Sequence, residues 1–280
     1  MNESSRPKIL KIKDWVILAT KQLVVAKIST ARLDSELIIA HTLKKDRIWI
    51  HAHFDDIIDT KSLYTANKYL KLRKDRVPIA YILGYKEFYK RNFLVSPAVL
   101  IPRPESEDVI DLLKKHISKK HKTLIDVGTG SGALGITAKL EIPKIEVTLT
   151  DIDDQSLEIA RKNISIFGKS IKVIQNDLLT NISNLYDVII ANLPYVDRTW
   201  ERSLETNHEP SIALFAEKNG LSLIYKLIAQ TNKNLHDNGL LILEADPVQH
   251  QDIIKKATGF GLSHLETRGY VVIFLKQQKI

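Results

Sequence analysis

The pattern of hydrophobic and polar positions divides the chain into a helical first part and a later part in which short apolar runs alternate with helical segments. Within the first 75 residues, apolar side chains recur at the spacing of amphipathic helices. We predict a small helical bundle. Its first helix has Trp15, Leu18, Ala19 and Ala26 available for one face, and in its second helix Leu33, Leu37, Ala40 and His41 can share a side. The predicted helices cover residues 13–28, 31–43, 47–53 and 61–74.

The Val77-Pro78 pair breaks the helical pattern and begins a connector, which we assign to residues 76–105. Large residues alternate through residues 81–89 and are followed by an apolar run at 93–95, which predicts a β-hairpin. Three prolines within residues 97–104 then predict a stiff, extended segment. Arg103 and Glu105 on this segment could contact a substrate, or could be surface charges beside a proline turn.

From residue 123 onwards, strands and helices alternate. This order predicts an α/β fold with a doubly wound, mostly parallel seven-stranded sheet that carries helices on both faces and an antiparallel pair at its end. We assign residues 1–75 to the helical bundle and 106–280 to this second domain. The predicted strands are 123–127, 147–150, 171–175, 188–191, 240–243, 264–267 and 271–275, and the predicted helices are 133–140, 155–167, 221–235 and 249–258.

Three consecutive strand ends predict a nucleoside pocket. The first strand runs into a glycine loop, Gly128-Thr129-Gly130-Ser131-Gly132, whose backbone can approach a ligand closely while the next helix directs its N–H groups there. Asp151 ends the second strand and can accept hydrogen bonds from a ribose diol. Asp177 ends the third strand and could meet the amine of an adenine, with Leu178 packing on the base.

The pocket alone does not identify the cofactor. Asp126 precedes the glycine loop, and its charge favours a ligand with positive groups, such as S-adenosylmethionine, over a pyrophosphate. Alternatively, Asp126 only caps the glycine turn. The spacing of Gly128, Gly130 and Ala133 also satisfies a loose dinucleotide fingerprint, so an NAD oxidoreductase is a competing hypothesis. The sequence offers no plausible residue set for hydride transfer.

The fourth strand ends at Asn192-Leu193-Pro194-Tyr195, on the edge where open α/β sheets bind their ligands. The Asn192 side-chain oxygen can accept an N–H, and Pro194 forces Leu193 into an extended conformation that leaves the Leu193 carbonyl as a second acceptor. Tyr195 adds a flat ring. Two acceptors and a ring suit a planar –NH2 group, although a strand that merely ends in an Asx-Pro turn would look the same.

Composition and charge narrow the class of protein. The 280 residues are 44% hydrophobic and 26% charged, as in ordinary globular proteins. The chain has no cysteine, no apolar run of about 18 residues and no signal-peptide pattern at its start, so we expect a cytoplasmic protein without a membrane span. His41, His51 and His53 lack further ligands at suitable spacing, so we expect no metal site.

The net charge of +8 lies entirely within residues 1–90, which hold 18 basic and 10 acidic residues, whereas residues 91–280 hold 23 of each. The first third therefore either faces an acidic or phosphate-bearing partner or is a lysine-coated surface. The neutral remainder argues against a stable nucleic-acid partner.

These residues resemble those of a known family. The chain resembles the class I S-adenosylmethionine methyltransferases, which have a Rossmann-like fold, and within them the release factor glutamine methyltransferases (the PrmC/HemK family). The Ile101–Glu105 segment is the most discriminating, because glutamine methyltransferases that act on a ribosomal protein usually differ there. The matching motifs span nearly the whole chain, at residues 31–37, 76–84, 93–105, 126–132, 192–195, 209–210 and 213–214.

The resemblance implies methylation of a glutamine side-chain nitrogen in the Gly-Gly-Gln loop of class 1 peptide chain release factors, with S-adenosylmethionine as cofactor and the helical domain docking the partner. It assigns catalysis and substrate binding to residues 192–195, with Arg103 and Glu105 also at the substrate. It assigns the cofactor to Asp126, the glycine loop, Asp151, Asp177, Leu178 and Asn192.

One position departs from the family, whose Asn-Pro-Pro-Tyr motif is Asn-Leu-Pro-Tyr here. Leu193 keeps the backbone carbonyl but lacks the locked φ angle, so we expect a slightly looser loop and retained activity. Three other functions stay open: glutamine methylation of a ribosomal protein, methylation of an exocyclic amine in a nucleic acid, and a scaffold without activity.

Overall fold

The computed structural model describes residues 10–278, which divide into two compact units. One unit contains residues 10–84 together with Leu204–His208, and the other contains Tyr85–Ser203 and residues 209–278. The first nine residues, on which the expectation of no signal peptide depends, lie outside the described residues. No helix within the described part is long and apolar enough to cross a membrane. The division at residues 75 and 105 stays a prediction.

The first unit is helical. Asp46 and Asp59 precede two of its helices and cap them, because their carboxylates accept hydrogen bonds from the backbone N–H groups of Trp49 and Ser62. Between residues 10 and 84 the helices are α1 (Ile12–Val25), α2 (Ala31–Leu43), α3 (Arg47–Ala52), α4 (Thr60–Lys74) and α5 (Ile79–Leu83).

Charged residues occupy part of this unit's interior. Asp34 on α2 is buried and accepts a hydrogen bond from the Arg73 guanidinium at 2.7 Å, and Arg73 also pairs with Glu205. Of the apolar residues that the pattern groups on these two helices, Trp15, Ala19 and Ala40 are buried, whereas Leu18 and Leu33 are 48% and 39% exposed. Apolar periodicity alone does not identify the buried side of α2, because an ion pair is buried there.

The predicted connector contains one α-helix that the sequence pattern did not predict, and a 3-10 turn begins at its end. Residues 79–83 form α5 where the hairpin was predicted to begin, so the hairpin is shorter, with β1 (Tyr85–Phe88) paired to β2 (Arg91–Leu94). The proline-rich segment ends in a 3-10 turn, Pro104–Ser106, which continues directly into α6 (Glu107–His116).

The second unit is built on a seven-stranded sheet within the described residues, in the order β5-β4-β3-β6-β7-β9-β8. The first five of these strands are parallel, and β9 is antiparallel to both of its neighbours. The predicted fold class is therefore confirmed. The strands are β3 (Thr123–Val127), β4 (Glu146–Asp151), β5 (Lys172–Gln175), β6 (Tyr186–Ala191), β7 (Leu235–Glu244), β8 (Leu262–Arg268) and β9 (Val271–Lys276).

Helices cover both faces of this sheet. Successive side chains of a strand point to opposite faces, so Leu124 of β3 packs into the core layer with α6 and the next helix, while Ile125 and Val127 pack into the other. The remaining helices are α7 (Ala133–Glu141), α8 (Asp154–Ile166), α9 (Ser222–Asn234) and α10 (His250–Thr258). Since β3 to β6 run parallel, their carboxyl ends meet at one edge, and the candidate site lies there.

Candidate active site

The glycine loop after β3 adopts the backbone that its sequence predicts. Gly128 and Gly130 have φ angles of +71° and +54°, which residues with a Cβ rarely adopt. The N–H groups of Gly128 and Thr129 both donate to the Thr150 carbonyl of β4, which ties the loop to the neighbouring strand. A Cβ at Gly128 would lie 2.8 Å from the Leu193 side chain, so the loop and the turn after β6 approach closely.

Asp126 supports this loop from inside. One carboxylate oxygen accepts hydrogen bonds from the Thr129 hydroxyl (2.6 Å) and the Gly135 N–H (2.9 Å), and the other has no partner among residues 10–278. Burial raises the pKa of Asp126 to about 7. Asp126 and Gly132 are not among the residues lining the cavity at the sheet edge, so their contact with a cofactor stays a prediction.

The other predicted cofactor residues line that cavity, which has a volume of about 250 Å³. Asp151 accepts hydrogen bonds from the backbone N–H groups of Gly130 (2.8 Å) and Asp153 (3.1 Å), and burial raises its pKa. Asp177 forms an ion pair with Lys226 at 2.6 Å. Leu178 has a φ of +50°, a strained value for a leucine, and its carbonyl accepts from the Asn176 side chain.

The Asn192–Tyr195 turn borders the same cavity. Asn192 donates from Nδ2 to the Ser106 hydroxyl at 3.2 Å, which leaves Oδ1 on the other side of the planar amide. The Leu193 side chain is 3% exposed, so its contribution to the wall is small, and its bulk packs into the core. Asn192, Leu193 and Pro194 line the cavity.

Tyr195 does not line the cavity but is anchored behind it. Its hydroxyl donates to Glu244 at 3.3 Å, and its carbonyl accepts from Gln249 at 2.9 Å. Burial, together with the charge of Glu244, raises the Tyr195 pKa well above its ordinary value. The predicted packing of this ring on a substrate amide stays a prediction.

Arg103 and Glu105 are also outside the cavity-lining set. The Arg103 guanidinium donates to the buried carboxylate of Glu209 at 2.6 Å, so it joins the proline-rich segment to a loop whose residues Ile212 and Ala213 line the cavity. This contact supports a structural role for Arg103, and its substrate contact stays a prediction.

Several cavity residues were missed by sequence reasoning. The apolar walls of the cavity come from residues that no local sequence pattern predicts to be there, namely Phe88, Leu100 and Pro102 of the connector, with Ile212 and Leu223. Glu244, which does not line the cavity, ends an apolar strand at the same sheet edge, as Asp151 does, so its position at that edge was predictable although its burial was not.

Known protein families match both parts of the chain. Residues 14–84 match the family model "PrmC N-terminal domain", and residues 106–209 match "Methyltransferase small domain". A release factor glutamine methyltransferase from Coxiella burnetii is 33% identical, over 93% of this chain and 95% of its own length. One from Mycoplasma mycoides is 38% identical, over 81% and 83%.

The chain belongs to the release factor glutamine methyltransferase family. This confirms the family predicted from the sequence. The crystal structure of a methyltransferase from Pyrococcus furiosus shares the fold, with a TM-score of 0.55. The two sequences are 19% identical, and the match covers 74% of this chain and 98% of the Pyrococcus chain.

The charge on the cavity wall fits a methyltransferase of this family better than an NAD oxidoreductase. Three carboxylates, those of Asp151, Asp153 and Asp177, line the cavity, and no Lys, Arg or His is found in the described lining. Such a wall disfavours a pyrophosphate and suits a ligand with cationic groups.

Proposed function

We propose that this protein transfers a methyl group from S-adenosylmethionine to the side-chain nitrogen of a glutamine in the Gly-Gly-Gln loop of class 1 peptide chain release factors. One observation carries the proposal: the Asn192–Tyr195 turn lies directly against Gly128 of the glycine loop, at the edge of one cavity. The names of the relatives and the Ile101–Glu105 segment support release factors as the substrates.

The residues of the cavity fit S-adenosylmethionine. The glycine loop admits close backbone approach, Asp151 offers its carboxylate to a ribose diol, and Leu178 offers an apolar contact for a base. The acidic wall complements an ammonium and a sulfonium. When bound, this cofactor supplies a methyl group that is electrophilic because it is attached to a positively charged sulfur.

The turn after β6 then activates the substrate. An amide nitrogen is a poor nucleophile, because its lone pair is delocalised into the carbonyl group. Asn192 Oδ1 and the Leu193 carbonyl accept the two amide N–H groups, hold the nitrogen in place and stabilise the positive charge that develops on it. A strong base is not required if the proton leaves after the transfer.

Methylation assays with the Asn192→Ala variant test this proposal. Full-length release factor and labelled cofactor are incubated with the enzyme, and the modified residue is mapped by mass spectrometry. We expect label on the Gly-Gly-Gln glutamine, and a loss of about 10²–10³ in kcat for Asn192→Ala, by analogy with the removal of one oxyanion-hole donor. Calorimetry should show that the variant still binds the cofactor.

Two controls make the result specific. A release factor in which that glutamine is replaced should take up no label, and Asn92→Ala, at an exposed position on β2, should leave kcat unchanged. Near-normal turnover by Asn192→Ala would refute the mechanism. Label on a ribosomal protein or on RNA instead would refute the substrate assignment.

We propose that the helical unit docks the release factor through α4. Lys61, Lys68, Lys71 and Lys74 are all exposed on this helix, and within residues 10–278 none of them pairs with a carboxylate. The helix also exposes Tyr64, at 74%. A basic face with an aromatic residue suits an acidic protein surface.

Charge reversal tests the docking surface. Replacing the four lysines with glutamate should weaken release factor binding, measured by calorimetry at low salt, and the difference from wild type should shrink as salt is added. The matched control reverses Lys119 and Lys120, which are exposed on the other unit. Unchanged affinity at low salt would refute docking through α4.

We also propose a cytoplasmic location, which the absence of cysteine supports.

A further inference from the structure

A buried carboxylate lies behind the proposed catalytic turn. Glu244 is the last residue of β7, and the register pairs Leu243 with Ala191 of β6, so Glu244 runs alongside Asn192. Its side chain is 1% exposed and does not line the cavity. No step of the proposed mechanism uses it.

The hydrogen bonds of Glu244 are incomplete. One oxygen accepts from the Tyr195 hydroxyl at 3.3 Å, while the other is buried without a partner in the described chain. Buried carboxylates are normally paired or fully hydrogen-bonded, and replacing such a group with an apolar one often stabilises a protein. Stability therefore does not explain why a carboxylate is present at this position.

The groups around Glu244 connect it to Asn192. Burial raises the pKa of Glu244 to about 7, and the nearby Ser106 and Tyr195 hydroxyls and the Asn192 side chain counter part of that rise. Ser106 is itself buried, and its oxygen accepts the Asn192 Nδ2–H at 3.2 Å. The charged and titratable groups facing this cluster are Glu105, which raises the Glu244 pKa, and Arg103 and Tyr270, which face Tyr195.

The chemistry of these groups sets a direction. An ionised carboxylate only accepts hydrogen bonds, so any hydrogen bond between Ser106 and an ionised Glu244 uses the single hydrogen of the Ser106 hydroxyl. The Ser106 oxygen is then left as an acceptor, and Asn192 must turn its NH2 group to it. Oδ1 of Asn192 consequently faces away, which is the orientation that the proposed methyl transfer needs.

We infer that Glu244 is a positioning residue: acting through the Ser106 hydroxyl, its carboxylate fixes the Asn192 side chain with Oδ1 towards the substrate amide, and it holds Tyr195 at the end of the same turn. This inference rests on the proposed function. A protonated Glu244 could donate to Ser106, which would allow the Asn192 amide to reverse. The active form is therefore the ionised one, and kcat should rise with pH through an inflection near 7.

The test compares wild type with Glu244→Gln in release factor methylation between pH 6 and 9. Glutamine keeps the shape but adds a donor, so the direction of the hydrogen bonds is no longer imposed. We expect kcat to fall about 10–100-fold, the effect typical of removing a supporting hydrogen-bond partner, with a cofactor Kd within about twofold of wild type and the inflection near pH 7 lost. A purely structural role would not move the pH profile.

Ser106→Ala provides an independent variant if Glu244→Gln does not fold. It removes the connecting hydroxyl but keeps the carboxylate, and it should also lower kcat about tenfold or more with the cofactor Kd preserved. Glu141→Gln is the matched control, because Glu141 pairs with Arg91 and Lys114 and does not line the cavity. It should keep both the wild-type kcat and the inflection.

The outcomes are distinguishable. Wild-type kcat in Glu244→Gln or in Ser106→Ala, or a pH profile of Glu244→Gln identical in shape to that of wild type, would overturn the inference while leaving the proposed function intact. An inflection that is reduced but not abolished is accounted for by Asp126, whose pKa is also about 7. A wild-type enzyme that labels no release factor would overturn the proposed function, and the inference with it.

Discussion

The turn after β6 is fixed from behind by Gly220, so replacing this glycine with alanine should damage both stability and catalysis. Gly220 has a φ of +81°, and an added Cβ would overlap the Tyr195 carbonyl oxygen and lie 2.5 Å from Gln249 Nε2. Gln249 donates from that nitrogen to the carbonyls of Tyr195 (2.9 Å) and Asn219 (2.6 Å). The alanine therefore cannot be accommodated without moving the backbone of the turn.

The magnitude follows from the contacts that are lost. Forcing a residue with a Cβ into the left-handed region costs about 1–2 kcal/mol, and each of the two Gln249 hydrogen bonds contributes about 0.5–1.5 kcal/mol. We expect Gly220→Ala to lower the free energy of unfolding by roughly 2–5 kcal/mol. A displacement of the turn by about 1 Å should also lower kcat about 10²-fold.

Gly168→Ala is the matched control. Gly168 has a φ of +59°, but an added Cβ would meet no atom within 4 Å, so it carries only the conformational cost of about 1–2 kcal/mol. Urea unfolding followed by circular dichroism gives both free energies, and kcat is measured on the folded fraction. If Gly220→Ala were no less stable than Gly168→Ala and kept the wild-type kcat, the turn would not be fixed in this way.

Three further variants test other parts of the structure. Leu193→Ala should lower the free energy of unfolding in urea by about 2–5 kcal/mol, because a buried leucine is truncated. Its kcat should stay within tenfold of wild type, because the proposed acceptor is the backbone carbonyl. A 10²-fold loss of kcat would contradict that assignment. Arg73→Met should cost about 3–5 kcal/mol, because it leaves Asp34 buried and unpaired, and a change below 1 kcal/mol would show that the pair does not stabilise the helical unit. Burial raises the pKa of Asp126 from 3.8 to about 7, so the folded state binds the Asp126 proton more tightly than the unfolded state does. The protonated Asp126 therefore makes its full contribution to the free energy of unfolding below about pH 4. This contribution falls by roughly 4 kcal/mol as the pH rises to about 8. Asp126→Asn should flatten this part of the pH dependence of unfolding, and an unchanged slope would refute the assignment.

Strand ends were predictable because the fold itself places them together. Once alternation identified parallel strands, Gly128, Asp151 and Asp177 had to meet at one sheet edge, and all three line the cavity. The supporting contacts could not be predicted in the same way. Ser106 meets Asn192 across 86 positions and Arg103 meets Glu209 across 106, and no local period encodes such pairs.

Apolar periodicity failed where polar groups are buried. It predicted the extent of α2 correctly but gave no sign that Asp34 is buried on this helix, where an arginine from α4 pairs with it. The same limitation hid Glu244, since a buried acid at the end of an apolar strand resembles a surface residue in the sequence. Buried charged residues of this kind are recognised only when their partners are known.

The leucine that replaces the family's proline illustrates how a loop can be fixed without a locked φ angle. A proline at position 193 would lock the φ angle through its ring. Here the Leu193 side chain is instead buried against Gly128 and the neighbouring core. Ser106 holds the residue before it, and Glu244 and Gln249 hold Tyr195 beyond it. Because the turn is restrained at both ends and packed in the middle, the direction of the Leu193 carbonyl should not depend on the missing ring.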